Sequence, residues 1–388
     1  MNRSETYHHR RLNGGLELAV LQLPGRATTS FQIRVLCGLV DEPEERPGLA
    51  RIVEETIAKG TESRSARQLS DAFDAIGAQH SSGVGRESIV FQCGCLPEYV
   101  DDALALHAEM LRTPTFPEEF CRVAVDLGLQ ELRAIEDEPG EFAQRLIAPH
   151  AFGPVLGRHE LGTPDGLNRM TRKEIVTFWK THLSLSRLQV CVAGAVDVER
   201  FAERLEGLFD GLPAEHGDGA DRYSLTFAPG ARHHNKNLEQ EHILICWPGV
   251  SVTDADYPVE RVVLGLLGGG MSSRLFSEVR EKLGLVYWVG AWDEHPRTGG
   301  RIFLGASTTP ARCDRTAQAL LRQVDGLAED LAEPELDRAK AGILAREKTH
   351  GDITRARLRE LGRDLFHFGR PVPTREKPPA RRGCGAAR

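Results

Sequence analysis

The chain has 388 residues, of which 40% are hydrophobic and 27% are charged. This is the composition of a folded globular protein, and the length exceeds what one hydrophobic core usually serves, so two domains are expected. The formal net charge of −7 gives no reason to expect nucleic acid or an anionic membrane as a general partner.

The cysteines and the apolar pattern indicate a cytoplasmic protein. Eight cysteines are scattered along the chain, without the framework of a small secreted scaffold or the C-x-x-C pairs of a zinc ribbon. We expect them to be reduced thiols in the core. No apolar run reaches the roughly 18 residues of a membrane span, and none follows the basic N-terminus. No membrane partner is therefore expected.

Two strands and a helix are predicted at the start of the chain. The strands are Gly15–Leu23 and Thr29–Cys37, since apolar and polar residues alternate in the second. A helix follows, with Pro47 suited to its first turn and Gly60 to its end. Its apolar positions recur at helical spacing and share one face: Leu49, Ile52, Val53, Thr56 and Ile57.

A neighbouring stripe of this helix carries charged residues at the spacing of a metal motif. The inverted zinc motif H-x-x-E-H places two imidazoles one turn apart to hold the metal, and the glutamate between them polarises a water. Here the five positions from Arg51 read Arg-Ile-Val-Glu-Glu, so Glu54 is kept and both histidine positions are lost. The flanks, Gly-Leu-Ala before and Lys-Gly-Thr after, resemble the pitrilysin and mitochondrial-processing-peptidase family of zinc peptidases.

Arginine at the first ligand position opposes zinc binding. A guanidinium stays protonated and offers only donors, so Arg51 repels a cation. The resemblance implies that the third ligand position is Glu131, in Gly-Leu-Gln-Glu-Leu. We expect Glu54, Glu55 and Glu131 to converge on Arg51 as a salt-bridge cluster, with no metal or other cofactor bound by this chain. The alternative from the residues alone is a solvated helix face.

The rest of the first half alternates helices and strands. Ser65 is suited to cap the second helix, Thr171 and Glu174 form a capping box, and Asp197 is suited to cap the last helix. The predicted ranges are a helix at 66–76, a strand at about 85–94, helices at 97–111 and 117–137, a helix opening at 171, a strand at 188–195 and a helix from 197 to 209.

The second half repeats the first in outline. A strand at His242–Trp247 is followed by a helix at Pro258–Leu267, as the strand Thr29–Cys37 is followed by the helix that begins at Leu49. Weaker similarities between the two halves occur in the same order along the chain. We therefore predict an α+β fold with two homologous α/β-sandwich domains in tandem, each a mostly antiparallel sheet covered by helices. The predicted ranges are a first domain at 1–210, a linker at 211–235, a second domain at 236–370 and a disordered tail at 371–388.

A second motif lies in the second domain. The stretch Leu267–Tyr287 contains a glycine-rich turn and resembles the second-domain signature of the same family, which implies that Arg280 and Tyr287 reach the substrate backbone. A guanidinium can hold a carbonyl with two donors, and a phenol can donate to a developing oxyanion. A phosphate loop is improbable because no Gly-Lys-Ser or Gly-Lys-Thr follows the glycines. The alternative is an ordinary surface arginine and a strand-end aromatic.

A third stretch is similar to the family's edge strand beside the zinc site. It contains His80, Ser81, Ser82 and Gly83, small or polar residues that leave a sheet edge open to an extended peptide. The resemblance therefore implies that this edge binds substrate by main-chain hydrogen bonds.

The first motif lacks its metal-binding histidines and the second motif is intact. This combination predicts a non-catalytic subunit of a zinc metallopeptidase. Alone the chain is expected to be inactive, while it supplies Arg280 and Tyr287 to a partner with an intact H-x-x-E-H motif, where the zinc is expected. The resemblance implies a clam-shell dimer, a heterodimer or a homodimer, that cleaves peptides or unfolded proteins in a chamber.

Two alternatives remain open. The chain could be a catalytically dead scaffold or peptide-binding protein of this family. It could also hydrolyse peptides alone with a rebuilt site of Glu54, Glu55 and Glu131, but three carboxylates suit a harder cation than zinc and Arg51 neutralises part of their charge.

Overall fold

The computed structural model describes residues 5–214, 223–351, 353–373 and 376, which form two compact units. Each unit is built from separate stretches of chain. Unit 1 comprises Met1–Ala134, Arg158–Tyr223 and Gly351–Pro373, and unit 2 comprises Ile135–Gly157, Ser224–His350 and Thr374–Arg388.

Unit 1 contains a six-stranded sheet. Its order is β1-β2-β6-β3-β5-β4, and every neighbouring pair is antiparallel except β2 and β6. The strand β4 therefore lies at one edge, paired with β5. The strands are β1 Thr6–Arg11, β2 Glu17–Gln22, β3 Thr29–Val35, β4 Gln79–Val84, β5 Ile89–Cys95 and β6 Leu188–Gly194.

Helices cover the sheet of unit 1. The sequence-predicted caps are present: Ser65 accepts a hydrogen bond from the N–H of Gln68, and Thr171 and Asp197 cap their helices in the same way. The helices are α1 Leu49–Ile57, α2 Ala66–Ala75, α3 Val100–Arg112, α4 Glu118–Asp137, α5 Pro139–Leu156, α6 Pro164–Asn168, α7 Arg172–His182 and α8 Val198–Phe209. Of these, α5 belongs to unit 2, and α4 continues into it.

Unit 2 contains a three-stranded antiparallel sheet in the order β7-β9-β8. Its core contains Leu267, Val279, Leu304 and Leu320, which are 2% exposed or less. Its strands are β7 Glu241–Gly249, β8 Trp288–Glu294 and β9 Gly300–Thr308; its further helices are α9 Tyr257–Gly268, the π-helical segment Leu275–Lys282, α10 Cys313–Asp325, α11 Leu327–Asp330 and α12 Glu333–Gly351.

The two sheets repeat one arrangement, as the sequence echoes predict. In unit 1 the order β3, α1, α2, β4, β5, α3 gives the spatial order β3-β5-β4; in unit 2 the order β7, α9, π-helical segment, β8, β9, α10 gives β7-β9-β8. In both units the strand that follows the second helical segment lies at the sheet edge. The α+β class and the antiparallel character of both sheets are confirmed.

A helix from the end of the chain packs on the sheet of unit 1. This helix, α13, spans Thr354–Phe368. Its residues Leu358, Leu361 and Leu365 are at most 1% exposed and pack with Leu21 and neighbouring sheet residues. The sequence predicts continuous domains at 1–210 and 236–370. In the structure both units are discontinuous, because α13 belongs to unit 1 and α5 belongs to unit 2.

The absence of a membrane span, the linker and the tail are three further predictions made from the sequence. Among the described residues, no helix combines the length and apolar character that crossing a bilayer requires. Of the predicted disordered tail, residues 374–375 and 377–388 lie outside the described residues, as do 215–222 of the predicted linker. The strand β1 was not predicted; its residues Thr6–Arg11 are mostly polar and give no clear apolar alternation.

Shortening a core leucine of α13 tests how far unit 1 depends on this helix. Leu361→Ala removes a side chain that is 1% exposed, so we expect a loss of about 2–4 kcal/mol in the free energy of unfolding of unit 1. Ile353→Ala is the control, because Ile353 precedes the helix and is 52% exposed. Chemical denaturation monitors both. Equal stability of the two variants would contradict the packing of α13 on unit 1.

Candidate functional site

The helix α1 is held in place by burial and by a carboxyl group at its N-terminus. Its apolar face is buried, with Ile52 at 1% and Val53 at 0% exposure. Gly48 precedes it with φ of 97°, a conformation that favours glycine. The carboxyl oxygen Oε1 of Glu42 accepts hydrogen bonds from the N–H of Gly48 at 3.1 Å and of Ala50 at 2.9 Å. These contacts fix the charged stripe of α1.

Arg51 lies between the two glutamates of its own helix. Its Nη1 donates to Oε2 of Glu54 at 2.6 Å, and its Nη2 pairs with Glu55. The other carboxylate oxygen of Glu54 accepts a hydrogen bond from the hydroxyl of Ser82. The Glu54 side chain is only 6% exposed, so both of its oxygens are satisfied inside the protein.

Two carboxylates from other segments lie near this pair. Glu131 on α4 forms no ion pair with Arg51 within the described residues, so the predicted convergence holds for Glu54 and Glu55 only. The second carboxylate, Glu160, follows α5 and was missed. Burial raises its pKa; Glu54 and Glu131 raise it further, and the charge of Arg51 opposes the rise. No motif surrounds Glu160, so the sequence carries no signal for it.

This arrangement does not fit a zinc ion. Zinc sites in proteins need lone pairs from imidazole, thiolate or carboxylate groups. Here the two histidine positions of the motif hold Arg51 and Glu55. The guanidinium of Arg51 has no lone pair to donate, and Glu55 forms an ion pair with Arg51. Glu54 is tied to Arg51 and Ser82. The site as it stands is a partly buried ion-pair cluster around the buried Glu54.

The strand β4 places its polar residues on both sides of the sheet edge. Ser82 meets Glu54 on one side, and on the other Ser81 accepts a hydrogen bond from Nη2 of Arg355 at 3.1 Å. The ring of His80 lies 4.1 Å from that of Phe73, centroid to centroid. Burial lowers the pKa of His80. Residues 79–83 are exposed, and in the described sheet β4 pairs only with β5.

Arg280 and Tyr287 lie close together in unit 2. The Arg280 guanidinium carbon is 4.7 Å from the ring centroid of Phe276 and 5.6 Å from that of Tyr287. Cation–π contacts of this kind favour one orientation of a guanidinium. Val279 and Leu285 anchor the connecting turn in the core, where Gly284 has φ of 59°. Tyr287 remains 78% exposed, so its hydroxyl is open to a ligand.

The sequence profiles of known families cover most of the chain. One described as "Insulinase (Peptidase family M16)" matches residues 18–163, and one described as "Peptidase M16 inactive domain" matches residues 169–343. A zinc protease of Rickettsia bellii is 27% identical over 96% of this chain and 90% of its own length. A probable mitochondrial-processing peptidase subunit beta of Arabidopsis thaliana is 24% identical over 94% of this chain and 71% of its own length.

Solved structures show the same fold. A peptidase M16 inactive domain from Pseudomonas fluorescens has a TM-score of 0.85 at 18% identity, covering 94% of this chain and 88% of its own. A protease from Helicobacter pylori also has a TM-score of 0.85, at 16% identity, covering 94% of this chain and 90% of its own. The two-domain α+β architecture predicted from the sequence is that of these proteins.

The buried carboxyl of Glu42 predicts a pH dependence of stability. Burial raises its pKa to about 8, although the N–H groups of Ala50 and Gly48 favour the charged form. In the unfolded chain the pKa is about 4.3. The stabilisation by the buried neutral acid is therefore complete below about pH 4 and is lost as the pH rises through about 8.

Glu42→Gln tests this dependence, because the amide keeps an oxygen that can accept from α1 and does not titrate. The difference in unfolding free energy between the parent and this variant should change steadily from pH 5 to pH 8. Glu44→Gln, at an exposed neighbouring position, is the control and should show no such change. A flat difference for Glu42→Gln would refute the raised pKa.

Proposed function

The chain belongs to peptidase family M16, the pitrilysin family, and from this premise we propose that it is the non-catalytic subunit of a zinc metallopeptidase that cleaves peptides or unfolded proteins. It provides Arg280 and Tyr287 to a substrate bound with a partner of the same family, whose intact H-x-x-E-H motif holds the zinc. The observation that carries the proposal is the contrast between the two motifs. The Arg51 cluster cannot bind zinc, while Arg280 and Tyr287 are both present, lie close together and are accessible to a ligand.

The contribution of Arg280 and Tyr287 follows from their chemistry. Both are donors in this setting: the guanidinium can hold a peptide carbonyl by two N–H groups, and the phenol can donate to the oxygen that gains charge during hydrolysis. Phe276 and Tyr287 limit the freedom of the guanidinium, so less entropy is lost when it binds. Both side chains remain accessible, as a role toward a substrate requires.

The edge strand β4 supports binding of an extended peptide. Its exposed residues include His80, Ser81, Ser82 and Gly83, and its main chain can add one more strand to the sheet. Two hydrogen bonds from opposite sides, Ser82 to Glu54 and Arg355 to Ser81, hold the edge in position. We propose that this strand binds substrate, although the neighbouring cluster does not hydrolyse it.

The other function is a scaffold or peptide-binding protein that keeps the fold without serving catalysis. The closed Arg51 cluster is compatible with it. The accessible Arg280 and Tyr287 pair distinguishes the two functions, since a scaffold has no use for an oxyanion donor. One set of variants therefore separates them.

The test uses the complex of this chain with an M16 partner that has the intact motif. Tyr287→Phe removes only the hydroxyl, and we expect kcat to fall by roughly 10²-fold, as for loss of one oxyanion donor. Arg280→Ala should lower kcat/KM by a similar factor. Control variants are Tyr99→Phe, at a tyrosine that is 37% exposed, and Arg67→Ala, whose side chain is 92% exposed. Hydrolysis of a quenched fluorescent peptide gives the rates.

Two results would reject the catalytic role. One is an unchanged rate for Tyr287→Phe and Arg280→Ala, which would favour the scaffold. The other is failure of the chain to associate with, or to activate, any intact-motif M16 subunit that is expressed in the same cell.

A further inference from the structure

A second group of metal-ligating side chains lies in unit 2 and is not used by the proposed function. It consists of Glu260 in the first turn of α9, Asp293 near the end of β8 and His295 just after β8. One oxygen of each carboxylate and one ring nitrogen of His295 all lie within 4.8 Å of one another. The start of α9 and the end of β8, which are distant in sequence, thus bring three donor atoms to one place.

We propose that Glu260, Asp293 and His295 bind one divalent transition-metal ion, with zinc as the expected metal. Nε2 of His295 is 2.8 Å from Oε1 of Glu260, and Nδ1 is 3.5 Å from Oδ2 of Asp293. Around a tetrahedral zinc ion with bonds of about 2.0–2.2 Å, neighbouring ligand atoms are roughly 3.4 Å apart. In the metal-free arrangement the two carboxylates face opposite nitrogens of the His295 ring. Because the three donor atoms lie within 4.8 Å of one another, a side-chain rotation of His295 or Asp293 would bring one nitrogen and two oxygens around one ion.

The charge balance of the cluster favours a divalent cation. The side chains of Glu260 and His295 are 5% and 9% exposed, and that of Asp293 is 31% exposed. Two carboxylates beside a neutral imidazole carry two negative charges, and protonation of His295 removes only one of them. Uncompensated charge in a buried site is costly. A divalent ion with a neutral imidazole cancels the charge of the three side chains.

The surroundings also suit a metal site. The second oxygen of Glu260, Oε2, accepts a hydrogen bond from the N–H of Val250 at 2.7 Å, which orients the carboxylate. The mixed nitrogen and oxygen donors match zinc and its neighbours in the first transition series better than magnesium or calcium. The partly exposed Asp293 gives the ion a path from solvent, where water completes the coordination.

The expected role of this metal is structural. It would connect the start of α9 to the end of β8, the strand that begins directly after Tyr287. The proposal departs from the expectation that the chain binds no metal of its own, which rests on Arg51 in unit 1 alone. It does not depend on the peptidase role, because metal binding is measured without a substrate or a partner.

The test measures metal bound by the full chain, purified without a histidine tag and stripped with a chelator. We expect one equivalent of zinc to bind and to remain after dialysis, and cobalt(II) to give visible absorption bands of a protein-bound ion. His295→Gln and Asp293→Asn should each lower zinc affinity at least tenfold. Glu54→Gln, which alters the Arg51 cluster, and Glu131→Gln, elsewhere in unit 1, should both leave binding unchanged.

Three results would overturn the proposal. The first is less than 0.1 equivalent of zinc bound at roughly 10 μM free zinc, which would leave the three side chains as a metal-free hydrogen-bonded cluster. The second is full binding in both His295→Gln and Asp293→Asn. The third is loss of zinc in Glu54→Gln, which would place the metal in unit 1. Circular dichroism confirms folding, and the more exposed Asp293→Asn provides the readout if His295→Gln unfolds.

Discussion

The ion pairs of Arg51 with Glu54 and Glu55 determine what unit 1 can do. They involve the positions that correspond to H-x-x-E-H in the sequence, and they engage the carboxylates of both Glu54 and Glu55. Removing one partner of a fully buried pair typically costs about 3–5 kcal/mol because it leaves an uncompensated charge. The cost is smaller here, since the Arg51 side chain is 24% exposed. Glu54, at 6% exposure, therefore needs Arg51, and the guanidinium takes over the compensating charge that a metal ion would supply.

Further contacts hold the segments around this cluster in place. Glu42 fixes the start of α1, Ser82 joins β4 to the helix, and β4 is an exposed sheet edge. In unit 2 the Arg280 and Tyr287 pair is anchored by core residues and faces solvent. The Arg51 ion pairs thus coexist with an exposed sheet edge and an accessible pair of hydrogen-bond donors. This combination is expected if hydrolysis is divided between two chains.

Local sequence signals predicted the elements well where one physical cause dominates. The apolar face of α1 and the caps at Ser65 and Thr171 depend on residues within a few positions, and all were present. Residues at the candidate site were found where a motif marks them, as with Arg51. Glu160 and the cluster around His295 could not be found, because their partners are set by tertiary packing. For the same reason, the sequence does not predict that α5 and α13 belong to opposite units.

The most direct test of the central claim is peptide hydrolysis by the isolated chain in the presence of stoichiometric zinc, with Glu54→Gln assayed alongside. With Arg51 in place of a ligand, neither protein should hydrolyse the peptide above background. Zinc-dependent turnover by the parent chain that disappears in Glu54→Gln would show that the unit 1 site is catalytic, and would contradict the account.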